Sequence, residues 1–263
     1  MTNHISLSRL WRLLRWQMPG TVMLTILLGV WVVLFTTFHL MDVGMTDLNE
    51  ELLREGARKA TASYWTIGAN MLCIMACSMF NLLFDKRTAH GYFMLPSTMQ
   101  EKFVASLLLF TLGNMILLIV GFVVADVLCS CLYYVLYPAV FVSGLPDFLH
   151  HLMLHDYYVD GHFELLMLSD DLCPLVWWHS VCVLCAAVIR RNAILFAVVP
   201  LLLGFPFLWL RGKYATGLAG GLYDSWTLPV CILFSVLAVV HYVAAYKLFP
   251  RRTIVGRKYL AIL

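Results

Sequence analysis

Charge is scarce in this chain. Asp, Glu, Lys and Arg make up 13% of its 263 residues, where a soluble globular domain carries about 25%. Hydrophobic residues make up 62%, so most of the chain is built for burial in protein or lipid. Other absences narrow the function. No Gly-rich phosphate loop occurs, so nothing reads as an ATP site. Basic residues stand as short flanks of apolar runs, so nucleic-acid binding has no support. The apolar runs contain no carboxylate, which argues against a proton-driven carrier and against an intramembrane aspartyl protease. No small-residue cleavage site follows the first apolar run, which is therefore expected to stay as an anchor. Most of the eight cysteines fall inside apolar runs, so a disulfide framework is not expected.

What is present is a set of six long apolar stretches, roughly 18–40, 64–84, 103–125, 172–189, 193–210 and 228–246. Each approaches the ~20 helical residues that cross about 30 Å of hydrocarbon. The runs are continuous and not alternating, which favours helices over a barrel. The charges between them sort by side. The N-terminus, the second and fourth connections and the C-terminus hold 13 basic residues against Asp85 and Glu101, a net +11. The other three connections hold five basic residues against 13 acids, a net −8. Lys and Arg are retained in the cytoplasm during insertion. The expected fold is an all-α transmembrane bundle of six spans forming one domain, 1–263. Both termini would be cytoplasmic, in the cell (inner) membrane.

The connections add detail. Over residues 5–17, Arg9, Arg12 and Arg15 share one helical arc and Leu7, Leu10, Trp11 and Leu14 the other, as in an amphipathic helix lying in the membrane interface. The alternative is simple flanking charge. Pro19 marks a bend into the first span. Residues 41–63 read as a short solvated helix, with Glu51 and Glu55, Arg54 and Arg58, and Glu55 and Lys59 at helical spacing. The apolar run from Val127 to Leu145 is nearly long enough to span. Spanning would invert every later segment against the charge bias. It is expected to be an extension of the third helix, or a re-entrant or surface-lying segment. The connection 126–171 carries seven acids and no Lys or Arg.

The second cytoplasmic connection, Phe84 to Phe103, carries the most local information. Thr98 and Glu101 have capping-box spacing, and Pro96-Ser97 precedes them. A helix is expected to start near residue 98 and run into the third span. A capped helix start with a basic approach suits docking of a soluble partner; the plain alternative is an ordinary capped loop.

The phrase Met94-Leu95-Pro96-Ser97, followed by Glu101-Lys102-Phe103 just after a second span, resembles the cytoplasmic loop of type-2 ABC exporter permeases. The likeness is to a compact branch found in Bacteroidetes-like bacteria. The stretch from Val188 through Arg190-Arg191-Asn192-Ala193 is similar to a second phrase of that branch. The resemblance implies a permease that hydrolyses nothing itself. It implies a separate ABC-type ATPase subunit and a second membrane subunit, identical or not, as partners, with no bound cofactor. The short loop would be a coupling element seated on the ATPase, with Pro96, Ser97, Glu101 and Lys102 in or beside the contact. The chain departs from the larger families in two places. Only residues 211–227 lie between the fifth and sixth runs, where those families place re-entrant helices. The long acidic connection after the third run has no counterpart.

Two further constellations compete with this reading. His151 and His155 stand at i and i+4, with Asp156 or His162 able to complete a divalent metal site. The alternative is a solvated, interface-lying polar segment. An outer connection that bound a metal or partner would make the chain a membrane scaffold or sensor, or, with a metal, a membrane-embedded enzyme. Cys182 and Cys185 form a CxxC inside the fourth run; with no second pair they read as small packing residues before metal or redox ligands. His179, Asn70, Asn81 and Asn114 read as interhelical hydrogen-bonding groups.

Overall fold

The computed structural model describes residues 6–17, 21–43, 50–80, 91–92, 94–136, 143–153, 158–159, 162–163, 165–189, 193 and 221–254. The helices are α1 (Leu7–Gln17), α2 (Thr21–Val43), α3 (Glu50–Ala76) and α4 (Met99–Leu108), then a π-turn (Leu109–Gly113) leading into α5 (Asn114–Leu136). After them come α6 (Leu145–Leu152), α7 (Leu165–Val188) and α8 (Gly221–Ile254). Between α6 and α7, β1 (Tyr158–Val159) and β2 (His162–Phe163) pair antiparallel, with Tyr158 opposite Phe163. The all-α expectation holds apart from this small ribbon.

Among the described residues, two helices are long and apolar enough to cross a membrane, Met99–Leu132 and Leu228–Phe249. At 1.5 Å per residue they are about 51 and 33 Å long, against about 30 Å of hydrocarbon. The first is therefore too long to lie wholly in hydrocarbon, and its charged start, Glu101-Lys102, precedes the apolar stretch that begins at Phe103. Shorter apolar helices run over Ile26–Thr37 and Leu172–Val188. On α8, Ile232, Leu233, Val236, Val239 and Val240 are each more than half exposed. Such a stripe on one helix marks contact with lipid or another chain.

The chain divides into two compact units, residues 1–17, 72–111 and 165–263, and residues 18–71 and 112–164. The core of the first joins Leu13 of α1, the end of α3, Phe103 and Ala105 of α4, the Trp178–Ala187 face of α7, and Ala245 and Phe249 of α8. Alanine and cysteine dominate this core, and small side chains let membrane helices approach closely. Phe80 and Phe249 close one end, with ring centroids 4.8 Å apart. The second unit centres on aromatic rings. Phe122 of α5 stacks on Phe148 of α6 at 3.9 Å and meets Phe35 of α2 edge-on at 4.7 Å. Buried aromatic pairs of this kind add about 0.5–1.5 kcal/mol beyond their area.

Three expectations change. The connection 41–63 is not a separate short helix: α3 runs from Glu50 into the second apolar stretch, and Ala57, Ala60 and Thr61 are buried. The Lys59–Glu55 pair forms on its surface at 2.8 Å, as the spacing requires. The third apolar helix does not end near residue 125 but continues to Leu136, so of the three alternatives for the following run its first part is helix extension. That extension places Asp126 inside the long apolar helix and buries it, which overturns the expectation of no buried carboxylate. The apolar stretch 193–210, apart from Ala193, and Asn81 and Pro19 lie outside the described residues.

Candidate functional site

The approach to α4 is built from its cap outward. Thr98 has extended backbone and accepts from the Glu101 backbone N–H through Oγ1 at 3.2 Å, while Glu101 Oε2 accepts from the Thr98 N–H at 2.9 Å. This is the reciprocal capping box the sequence predicts. The Glu101 carboxylate has a second task. Its Oε1 accepts from the Ser6 N–H at 2.9 Å, and Arg9 of α1 brackets the group, with Nη2 2.9 Å and Nε 3.0 Å from Oε1. The Glu101 side chain is wholly buried while that of Arg9 is 37% exposed. Burial alone raises the Glu101 carboxyl, but hydrogen bonds from Arg9, Ser6 and Thr98 and the Arg9 charge outweigh it and hold it down to about 2.

A second joint lies one turn deeper. Gln17, the last residue of α1, is buried and donates through Nε2 to Tyr92 OH at 2.8 Å and to Ser106 Oγ at 2.9 Å. Both hydroxyls in turn donate to the Lys102 carbonyl, at 2.9 and 3.1 Å. Lys102 is 1% exposed, and its ammonium sits 5.6 Å from the centre of the Tyr92 ring. Burial lowers its pKa. Helix α1 is thus bolted to the start of α4 at both ends, while its outer face leaves Leu7 and Trp11 81% and 64% exposed.

The four residues expected at a partner contact therefore divide. Pro96 is exposed and Ser97 half-buried, at the tip of a turn that also exposes Met94; Glu101 and Lys102 point inward and hold α1. Of the metal candidates, His151 is in α6, and its side chain, like His155 and Asp156, lies outside the described residues.

The apolar helices carry polar groups, and His179 joins helices by hydrogen bonds as its sequence reading expects. His179 of α7, 8% exposed, pairs through Nε2 with Thr111 Oγ1 at 3.0 Å and through Nδ1 with Tyr242 OH of α8 at 2.7 Å. Thr111 sits in the π-turn, a widened turn often found where a helix must present a group. Beside it, Ser180 Oγ lies 3.2 Å from His241 Nδ1. In the second unit, Asp126 accepts from Ser143 Oγ at 2.6 Å and from the Gly144 N–H at 2.7 Å. The carboxylate of α5 therefore caps the start of α6. The Ser143-Gly144-Leu145-Pro146-Asp147 run is a helix-start signature that could have pointed to this cap. The Arg9–Glu101 and His179–Tyr242 pairs have no local signal, since their partners are distant in sequence.

No protein-family model matches the chain, no curated protein matches it, and no solved structure matches it.

Proposed function

We propose that this chain is the membrane-spanning subunit of an ATP-driven exporter of the type-2 ABC kind, threaded six times through the cell membrane with both ends in the cytosol. ATP is hydrolysed by a separate partner subunit, and two membrane subunits frame the path. The observation that carries this reading is the joint of α1, the 94–98 turn and α4. A soluble motor needs a firm handle on a membrane helix, and this turn offers one. Its tip is exposed at Met94 and Pro96, its base is a reciprocal cap, and the buried Glu101 ties it to an amphipathic helix suited to the cytoplasmic interface. A push on the tip reaches the long apolar helix Met99–Leu132 without a flexible link, because the cap is its first turn. The charge asymmetry of the connections supports the orientation.

Two experiments test the reading. A photo-crosslinking amino acid at Met94 or Ser97, in cells producing the chain at native level, should capture a Walker-motif ATPase. The same group at Tyr134 should not. Capture of no nucleotide-binding protein from either loop position refutes the coupling role. Impermeant thiol labelling of single cysteines placed at Asp160 and Arg190 should reach the first in intact cells and the second only after lysis; the reverse pattern inverts the topology.

A further inference from the structure

Two histidines meet hydroxyls where α7 and α8 pack in the first unit, and they are held in opposite ways. His241 Nδ1 lies 3.2 Å from Ser180 Oγ, and that hydroxyl donates its one proton to the Trp177 carbonyl at 2.6 Å. Ser180 therefore only accepts from His241, which fixes that ring as the Nδ1–H tautomer. His179 sits instead between two hydroxyls, with Thr111 Oγ1 3.0 Å from Nε2 and the Tyr242 hydroxyl 2.7 Å from Nδ1. Among the described residues neither hydroxyl makes a further hydrogen bond. The ring is buried, while Thr111 and Tyr242 are half-buried, so each end of this three-group chain is more open than its centre. The other titratable groups nearby are engaged elsewhere: His241 with Ser180, Cys73 with the Leu175 carbonyl at 3.7 Å, and Cys173 with Ser235 at 3.6 Å.

The partners decide what the ring can do. A backbone carbonyl or a carboxylate only accepts, so it settles which nitrogen keeps the proton. A hydroxyl donates as readily as it accepts. Two of them leave the His179 proton free to sit on either nitrogen. Thr111 stands in the π-turn Leu109–Gly113, and such turns recur at functional sites. An ionisable side chain within an apolar helix is itself a functional candidate. We propose that Thr111, His179 and Tyr242 form a proton shuttle through the core of the first unit, exchanging protons with water at either end. A proton from water binds Thr111 Oγ1, whose own hydroxyl proton passes to Nε2. Nδ1 gives its proton to the Tyr242 oxygen, and the Tyr242 hydroxyl proton leaves to water. One proton enters and one leaves, no electron moves, and the ring is left as its other tautomer. Passage in the opposite direction restores it. The shuttle needs no carboxylate, lies away from the 94–98 turn and does not depend on the exporter reading.

The test uses the full chain labelled with nitrogen-15 histidine, in phosphatidylcholine vesicles, at about pH 8, where an ordinary imidazole is neutral. Solid-state NMR reads the tautomer of each ring and its exchange. The two signals are assigned by their loss in His179→Gln and His241→Gln. His241 should show the Nδ1–H tautomer alone. His179 should show both tautomers in exchange. Thr111→Val and Tyr242→Phe should each slow that exchange by about tenfold or more, since each removes a hydroxyl through which the proton passes. Thr111→Ser, which keeps the hydroxyl, should exchange as wild type does. A purely structural bridge holds one tautomer, so a single static tautomer of His179 in the wild type, which needs no variant to fold, overturns the proposal. Exchange unchanged in both Thr111→Val and Tyr242→Phe overturns it as well, because the proton then travels by another route.

Discussion

The guanidinium of Arg9 grips the carboxylate of Glu101 across 92 residues of sequence, with Nη2 2.9 Å and Nε 3.0 Å from the same oxygen. That carboxylate also caps the helix it belongs to and accepts from the backbone of Ser6. One buried group thus fixes the first turn of α4, the entry to α1 and the distance between them. Gln17, reaching Tyr92 and Ser106, fixes the other end of α1. With both ends held, the exposed Pro96 turn cannot shift without carrying α4 or α1 with it.

The two members of this pair should not be equivalent. Glu101→Ala removes the acceptor for the Arg9 side chain and for two backbone N–H groups. The expected cost is about 2–3 kcal/mol, from the lost cap and the unpaired donors. Arg9→Ala leaves Glu101 with its backbone donors, and Arg9 is part-exposed, so the expected cost is about 1 kcal/mol. Exchanging the two residues should not restore stability, because arginine at 101 cannot accept from Ser6 or Thr98. Thermal unfolding in detergent ranks the variants, and trypsin cleavage within residues 9–15 reads the release of α1. Equal losses for Glu101→Ala and Arg9→Ala would remove the carboxylate from the centre of the joint.

Acid should loosen this joint late. Glu101 is held down to about 2 from an ordinary value of 4.5. A depressed carboxyl stabilises the fold fully above its unfolded value and loses that contribution as pH falls through its folded value. The stability difference between wild type and Glu101→Gln should therefore be constant above pH 5, shrink below about pH 4.5 and close toward pH 2. Melting curves of the two proteins at matched pH measure it. A difference that grows as pH falls has the wrong sign for this contact.

Asp126 offers a contrasting test in the second unit. It accepts through both oxygens, from Ser143 and from Gly144. Asp126→Asn keeps the shape but retains one acceptor, so one buried donor loses its partner and the NH₂ faces another donor. The expected loss is about 1–3 kcal/mol. Asp126→Asn with Ser143→Ala should recover part of it, since the surviving oxygen can serve the Gly144 N–H alone. Hydrogen exchange across residues 144–148 reads this locally: exchange should quicken in Asp126→Asn and slow again in the double variant. No change in the single variant would show the cap to be dispensable.

The periodic parts of the fold were legible and the long-range parts were not. Hydrophobic runs announce helices because each helix must present apolar side chains all round. The Thr98–Glu101 cap is legible because both partners lie within one turn. By contrast, Asp126 looked like the edge of a loop because the charge-free run happened to stop there. Only the continuation of α5 to Leu136 shows it to be buried. The reading of 41–63 as a separate helix failed for a related reason. Charged residues at Glu51, Arg54 and Glu55 coat one side of α3, while Ala57, Ala60 and Thr61 bury the other. For the candidate site, the sequence singled out the turn before α4, but it gave Glu101 and Lys102, which are buried, the same role as the exposed Pro96 and half-buried Ser97. Their burial depends on α1 folding back over them, and no local spacing encodes that.

Close helix contacts in the second unit predict an ordering of two similar substitutions. A Cβ on Gly121 of α5 would sit 2.5 Å from Trp31 Cβ and 3.4 Å from Trp31 Cγ and from Tyr64 Oη. A Cβ on Gly68 of α3 would overlap Leu118 Cδ1, the end of a flexible side chain, with Leu118 Cγ at an ordinary 3.5 Å. Leu118 can relieve the overlap by changing rotamer. Trp31 cannot, because its Cβ moves only with the backbone of α2 and its ring is buried at 1% exposure. Both changes also bring the higher helix propensity of alanine, about 1 kcal/mol. Gly68→Ala should therefore lie within about 1 kcal/mol of wild type, while Gly121→Ala should lose about 1–3 kcal/mol to overpacking. Trp31→Ala combined with Gly121→Ala does not separate the terms, since it opens a large cavity. The cleaner partner is Leu118→Ala with Gly68→Ala, in which the overlap disappears. If thermal unfolding ranks Gly68→Ala below Gly121→Ala, then α2 and α5 are not in the close contact that the aromatic core requires.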